Sequence, residues 1–242
     1  MPQAQNTAVG AGTPHPAIFT MAGTLAGARA CALLSLPVVP FGMALGLAAG
    51  EKGISFLEIM LMSAVVFAGL SQLAAVELWA APLPVLPIIL ITFTVNIRHV
   101  LYGAALSTWV RGVAPWQRNL AGGLMSDMNW ALTIQAKERG QNDVGFLFGS
   151  GLVLWAVWLA GTAAGHQLGS SVPDPKALGL DAVVIALFAT TLVGLWKGTD
   201  DLAPWLVAAV AALLAHAHLP AGWHIMIGAL AGGLAGVARY GR

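Results

Sequence analysis

Asn96, Arg98 and His99 stand together in a short polar stretch, Thr94 to His99, inside an otherwise oily part of the chain. Leu83 to Phe93 before it is nearly all apolar, and Val100 to Val110 after it is mostly apolar. A guanidinium in hydrocarbon costs roughly 2.5–3.5 kcal/mol on insertion scales, so a buried one marks a candidate functional site. The chemistry on offer is recognition of a polar solute on a path through a membrane. Asn96 and His99 are three apart and share a face if the backbone there is helical, whereas Arg98 points elsewhere. Arg98 has two readings: it holds a carboxylate or carbonyl oxygens at the end of a half-helix, or it is a structural cation tied to backbone carbonyls or an acid. His99 alone also fits a hydrogen-bonded core histidine.

Asp127 is the other charge in an apolar segment, within Ser126-Asp127-Met128-Asn129-Trp130. It can pair with Arg98, bind a substrate ammonium or carry a proton; in a loop it would simply be exposed. Two further clusters interrupt apolar runs. In Pro37-Val38-Val39-Pro40-Phe41-Gly42 the prolines remove backbone donors and should kink or break a helix, freeing carbonyls for a substrate or merely for packing. Pro40, Phe41 and Gly42 are candidates on that basis. In Phe67-Ala68-Gly69-Leu70-Ser71-Gln72, Gly69 and Ser71 suit close helix packing, and Gln72 can line a path because its amide both donates and accepts. Glu77 lies five residues beyond Gln72, off its face, and reads as an interfacial carboxylate or a proton site.

His216 and His218 are two apart and do not face each other on a helix, so they read as interfacial histidines rather than metal ligands. The single Cys31 excludes an intrachain disulfide and a cysteine-rich metal site. The nine tryptophans fit interfacial belts. No zincin, nucleophile-elbow, P-loop or dinucleotide motif is present, so the expectation is a non-enzyme without cofactor or metal.

The elements that must position these residues are membrane helices. The chain has 242 residues, 58% hydrophobic and 9% charged, with a mean hydropathy of +0.79. A soluble domain is about a quarter charged. The net charge of +1 leaves no nucleic-acid footprint. Spans of ~20 apolar residues are expected at about Ala30–Ala49, Phe56–Ala81, Leu83–Val110, Leu120–Ala136 and Val144–Leu168. After a loop at Ser170–Leu180, three shorter ones follow at Asp181–Trp196, Leu202–Ala217 and Gly222–Ala238. The expected fold is all-α, a polytopic bundle of about six to eight transmembrane segments, some discontinuous, with a possible inverted repeat. Residues 1–28 read as a poorly ordered tail without a signal-peptide pattern, and 29–242 as one transmembrane domain. With eight spans, lysines and arginines favour cytoplasmic ends by a small margin.

Three motifs together resemble the AzlC family, the large subunit of branched-chain amino-acid exporters of the LIV-E group. They are P-x-x-P-F-G-x-x-L-G from Pro37, L-M-S-A-V-V-F-A-G-L-S-Q from Leu61, and T-x-N-I-R-H-x-L-Y-G-A-A-L from Thr94. Trp158 to Thr162 and Gly179 to Asp181 also fit, and the resemblance runs over roughly residues 28 to 238. It implies secondary active export of Val, Leu, Ile and sometimes Met from the bacterial plasma (inner) membrane, proton-coupled, with a small AzlD-like membrane subunit as partner. The family often shows an acidic pair where this chain reads Ser126-Asp127-Met128. Asp127 is kept and the second carboxylate is replaced by Met128, which removes any coupling role for that second acid.

A zwitterion in a membrane needs a cation or helix N-terminus for its carboxylate, and a carboxylate or carbonyls for its ammonium. Its side chain needs a greasy pocket. Asp127 is the candidate for the ammonium or the coupling proton, and Phe41, Phe67 and Phe93 are candidate pocket walls. Two alternatives remain open from the residues: an exporter or channel for another small solute, and a non-transporting membrane scaffold subunit.

Overall fold

A threonine hydroxyl starts the fold. Thr20 accepts the Gly23 N–H at 3.0 Å and caps helix α1 (Met21–Ala32). In the computed structural model, residues 17–171, 198–219 and 223–240 are described, with residues 186, 189 and 193 between them. The boundary expected at residue 28 falls inside α1. What orders this stretch is distant in sequence. The Asp143 carboxylate accepts the Thr20 N–H at 3.0 Å, the Gly145 N–H at 2.8 Å, and the Thr20 hydroxyl. Asp143 is buried, and these donors satisfy its charge.

Gly145 opens the longest helix, α9 (Gly145–Ser171), with 27 residues. At 1.5 Å per residue it reaches ~40 Å, more than the ~30 Å hydrocarbon core. Helices α1 and α2 (Val38–Glu51) lie along it in the same direction. Gly27 meets Phe146 near the start of α9, and Gly46 meets Thr162 and His166 further along. Glycines four apart face each other at this seam: Gly42 and Gly46 on α2, Gly161 and Gly165 on α9. A Cβ on Gly46 would lie 2.0 Å from the Thr162 carbonyl oxygen, and one on Gly165 2.0 Å from that of Met43. Backbones this close gain dispersion contacts, the main helix-pairing force in lipid.

The chain between α1 and α2 turns at Leu33–Pro37, where Leu36 N–H bonds Leu33 O at 3.3 Å and Val38 N–H bonds Ser35 O at 2.9 Å. The break therefore ends at Pro37, the N-cap of α2. Pro40, Phe41 and Gly42, expected within it, are in the opening turns of α2, where a proline's missing N–H is tolerated.

The second expected span is not continuous. It divides into α3 (Phe56–Val66) and α4 (Gly69–Glu77) at Phe67 and Ala68. The third crosses as α5 (Val85–Asn96) and α6 (Arg98–Leu106), separated only by Ile97, with 22 residues in all. The fourth divides into α7 (Pro115–Gly123) and α8 (Asp127–Glu138). Its break is Leu124–Ser126, and Asp127 begins α8 rather than interrupting it. A hairpin, α10 (Leu202–His218) and α11 (Trp223–Tyr240), closes the chain, with Gly228 against Ala212 and Gly232 against Ala208. The loop and span expected across 170–196 fall largely outside the described residues, as do residues 1–16.

The described residues form an all-α membrane bundle, without a strand among them. Val85–Leu106, Gly145–Gly169 and Thr199–His218 are each long and apolar enough to cross a bilayer. One core cluster gathers Leu45, Ile59, Leu73, Val76 and Trp158 where α2, α3, α4 and α9 meet.

Candidate functional site

Non-helical backbone at membrane depth must find partners inside the protein. At the α3–α4 break the partners are side chains. Phe67 takes a left-handed conformation, φ 42° and ψ 48°, which is rare for a bulky residue and held only by its surroundings. The Ala68 N–H donates to Gln72 Oε1 at 3.3 Å, and the Ser71 hydroxyl donates to the Ala68 carbonyl at 2.9 Å. Gln72 Nε2 donates to Ser63 Oγ at 3.0 Å, and the Trp158 indole N–H donates to Gln72 Oε1 at 3.1 Å. The Trp155 indole N–H caps the Ala64 carbonyl at 3.0 Å. Asn96 Nδ2 donates to Ser71 Oγ at 3.0 Å and ties α5 to the break, while its Oδ1 is buried without a hydrogen-bond partner among the described residues.

The α7–α8 break is braced in the same manner. Asn129 Oδ1 accepts the Ser126 N–H at 2.6 Å and the Ser126 hydroxyl at 3.1 Å. Its Nδ2 donates to the carbonyls of Leu124 at 2.9 Å and Leu147 at 3.3 Å. At each break an amide side chain one turn into the second half-helix replaces the missing helical bonds.

The two breaks and the α5–α6 junction converge. Arg98 Nη1 lies 2.8 Å from Asp127 Oδ2, with side chains 29% and 50% exposed. The Tyr102 hydroxyl donates to Asp127 Oδ1 at 2.8 Å. Tyr102 stacks on Trp130 at 4.7 Å between centroids and meets the His99 ring edge-on at 5.6 Å. His99 Nδ1 donates to the Asn96 carbonyl at 3.1 Å, which fixes the ring beside Arg98. Arg98 Nε is buried and unpartnered among the described residues.

This cluster lines a cavity of 360 Å3. One wall is polar, with Arg98, His99 and Asp127; the other is apolar, with Phe41, Phe67, Leu154 and Trp158. Gly69 and Leu70, the first residues of α4, also face it, so the partial positive charge of a helix N-terminus adds to Arg98. Ser126 and Asp127 bring the start of α8 to the same space.

Among the residues singled out in the sequence, Phe41, Arg98, His99 and Asp127 line the cavity. Gln72 and Asn96 stand behind it as braces. Pro40 is exposed and Gly42 is buried in the α2–α9 seam, its Cβ position 2.9 Å from the Trp158 carbonyl oxygen. Neither lines the cavity, because the break lies earlier than the prolines suggested. Phe67 is a wall, but Phe93 is 66% exposed on the outer side of α5 and is not. The exposed Glu77 offers only its backbone carbonyl, to Lys52 Nζ at 2.9 Å.

Sequence reasoning missed Tyr102 and Trp158. Tyr102 was accessible, lying four residues from Arg98 on the same helical face. Trp158 entered only through the family resemblance, not as a wall of the cavity. It is buried and hydrogen-bonded rather than part of an interfacial belt, because the Gln72 amide supplies an acceptor for its indole N–H inside the bundle. His216 meets His224, on the neighbouring helix, at 5.0 Å between ring centroids. No cluster of three or more metal-ligating side chains occurs among the described residues.

Long apolar helices, half-helices that end inside the bundle and a cavity lined by Arg98 and Asp127 at the breaks define an integral membrane protein built in part from discontinuous helices. The chain belongs to the AzlC family: the family's model, described as AzlC protein, matches residues 33–172, which include every cavity residue. It is 30% identical over 156 residues to the branched-chain amino acid transport protein AzlC of Bacillus subtilis, covering 64% of this chain and 61% of that one. It is 29% identical over 163 residues to an uncharacterized membrane protein of Archaeoglobus fulgidus, covering 66% and 70%. It is 26% identical over 200 residues to the inner membrane protein YgaZ of Escherichia coli, covering 78% and 80%. No solved structure matches the chain. The protein is an integral protein of the inner membrane.

Proposed function

We propose that this chain is the substrate-carrying subunit of an exporter for Val, Leu, Ile and Met, working by proton-coupled secondary transport with a small AzlD-like membrane subunit. The observation that carries the reading is the Arg98–Asp127 pair against an apolar wall. The two charges are the complement of a zwitterion. An incoming amino acid exchanges their mutual contact for its own: carboxylate to Arg98 and the α4 N-terminus, ammonium to Asp127. Its aliphatic side chain then lies on Phe41, Phe67, Leu154 and Trp158. A volume of 360 Å3 falls in the range of small-ligand pockets, ~300–1,000 Å3.

An apolar wall separates substrates that differ by one methylene by only ~1–3 kcal/mol, which supports overlapping handling of the four amino acids. Asp127 is the carboxylate in the cavity, so it takes the coupling proton in this reading. Protonation removes the Asp127 charge and frees Arg98, whose guanidinium then takes the substrate carboxylate as its counter-charge. The named relative from Bacillus subtilis supports the substrate class.

The test is efflux from cells loaded with dipeptides of Val, Leu, Ile or Met. This chain alone, this chain with an AzlD-like partner, and empty cells are compared. Faster efflux of these four with both chains, and not of acidic or basic amino acids, is the expected result. No increase for any of the four, with both chains confirmed in the membrane, overturns the assignment.

A further inference from the structure

Beside the charged cavity lies a second, of 230 Å3, and beyond that a third, of 560 Å3. The first and second share Phe67, Ala68 and His99; the second and third share Gly122 and Met125. Shared walls in this order make a chain of spaces from Asp127 to Arg111 and Arg118, both exposed in the third cavity. Among the described residues neither arginine has an ion-pair partner.

The glycines along this chain are unlike those of the α2–α9 seam. A Cβ built on Gly103, Gly122 or Gly123 meets nothing within 4 Å, and none of the three has a positive φ. Neither packing nor backbone conformation within the described fold calls for glycine there, and at Gly103, inside α6, alanine would favour the helix by roughly 1 kcal/mol. What glycine leaves is space: Gly103 and Gly122 in the third cavity, Gly122 and Gly123 in the second. The second cavity is also lined by Asn96, whose Oδ1 is buried without a hydrogen-bond partner among the described residues.

We propose that these three cavities are one transit route, in which Gly122 and Gly123 keep the passage open past Asn96 and Arg111 and Arg118 receive the carboxylate of the solute at its mouth. The arginines act by raising the local concentration of carboxylate-bearing solutes. The nature of that solute rests on the amino-acid reading above; the existence of a wet passage at Gly122 does not.

The test introduces one thiol, Gly122→Cys, in the full chain with its partner subunit, and treats cells with a charged, sulfonate-bearing methanethiosulfonate. The native Cys31 is buried in α1, so the unmutated protein serves as the reagent control. Gly233→Cys, mid-way along α11 and also open to the outside, serves as a lipid-facing control. The route calls for fast labelling of Gly122→Cys and slow labelling of Gly233→Cys, because a thiolate forms only where water reaches. It also calls for loss of efflux when Gly122→Cys is modified, and slower labelling in excess leucine. A Gly122→Cys protein that inserts normally and reacts no faster than Gly233→Cys overturns the route. So does one that is fully modified and exports at its unmodified rate. If the unmutated protein moves no amino acid while Gly122→Cys still labels fast, the route stands and the substrate reading falls.

Discussion

Arg98 at the start of α6 and Asp127 at the start of α8 close a 2.8 Å ion pair where half-helices end inside the bundle. The pair is partly open to the cavity, so its geometry, rather than burial, sets its value. Isolated exposed pairs contribute only ~0–1 kcal/mol. Its worth to the protein is therefore in what can replace it.

Removing one partner separates fold from function. Among the described residues, Arg98→Ala leaves the Asp127 carboxylate held by the Tyr102 hydroxyl alone, and we expect loss of transport or of the folded protein. Quantifying the chain in the membrane distinguishes these. The double variant Arg98→Gln/Asp127→Asn keeps polar contact without charge, and should restore membrane levels but not export. Recovery of export by the double variant would remove charge from the mechanism.

Gln72→Leu should destabilise the protein more than its position near the cavity suggests. It removes the acceptor for the Ala68 N–H and the Trp158 indole, and the donor to Ser63. Each buried group left unsatisfied costs about 1–3 kcal/mol. A thermal melt in detergent should show a clear drop. An unchanged melt would mean that the break does not depend on this amide.

Much of the polar wall was legible in the sequence, as were the junction beside Asn96 and the interruption of the fourth segment near Ser126; the Phe67–Ala68 break was not. Arg98, His99 and Asp127 stand out because polar groups are costly in apolar runs. The Phe67–Ala68 break does not, because nothing local dictates it: Gln72 supports it from one turn ahead, Trp155 and Trp158 from a distant helix. Pro37 and Pro40 pointed to a break; Pro37 ends the turn that precedes α2, whereas Pro40 is in the helix's first turn, where proline is at home. The start of α1 was hidden for the same reason as the Phe67 break. Thr20 is anchored by Asp143, far away in sequence.

Glycine substitutions should divide by location. Gly46→Ala places a methyl about where the Thr162 carbonyl oxygen sits, so the α2–α9 seam must part, and we expect a large fall in melting temperature and yield. Gly103→Ala meets no atom, and its melting temperature should be unchanged or slightly raised. Equal effects at the two positions would contradict the seam.

Trimming the apolar wall should alter preference before it alters capacity. Phe41→Ala enlarges the cavity opposite the charges. We expect the ratio of Met or Leu to Val export to rise by no more than about 10–200-fold, the range that hydrophobic complementarity allows. An efflux panel normalised to membrane protein checks this; unchanged ratios would place the side chain of the substrate elsewhere.

The central claim is that Asp127 and Arg98 receive the two ends of a zwitterion. The measurement that tests it most directly is leucine efflux by Asp127→Asn against the unmutated chain, with the partner subunit present and equal amounts in the membrane. The account predicts that Asp127→Asn inserts normally and loses most of its export. Normal export by a well-expressed Asp127→Asn protein would contradict it and remove Asp127 from the mechanism.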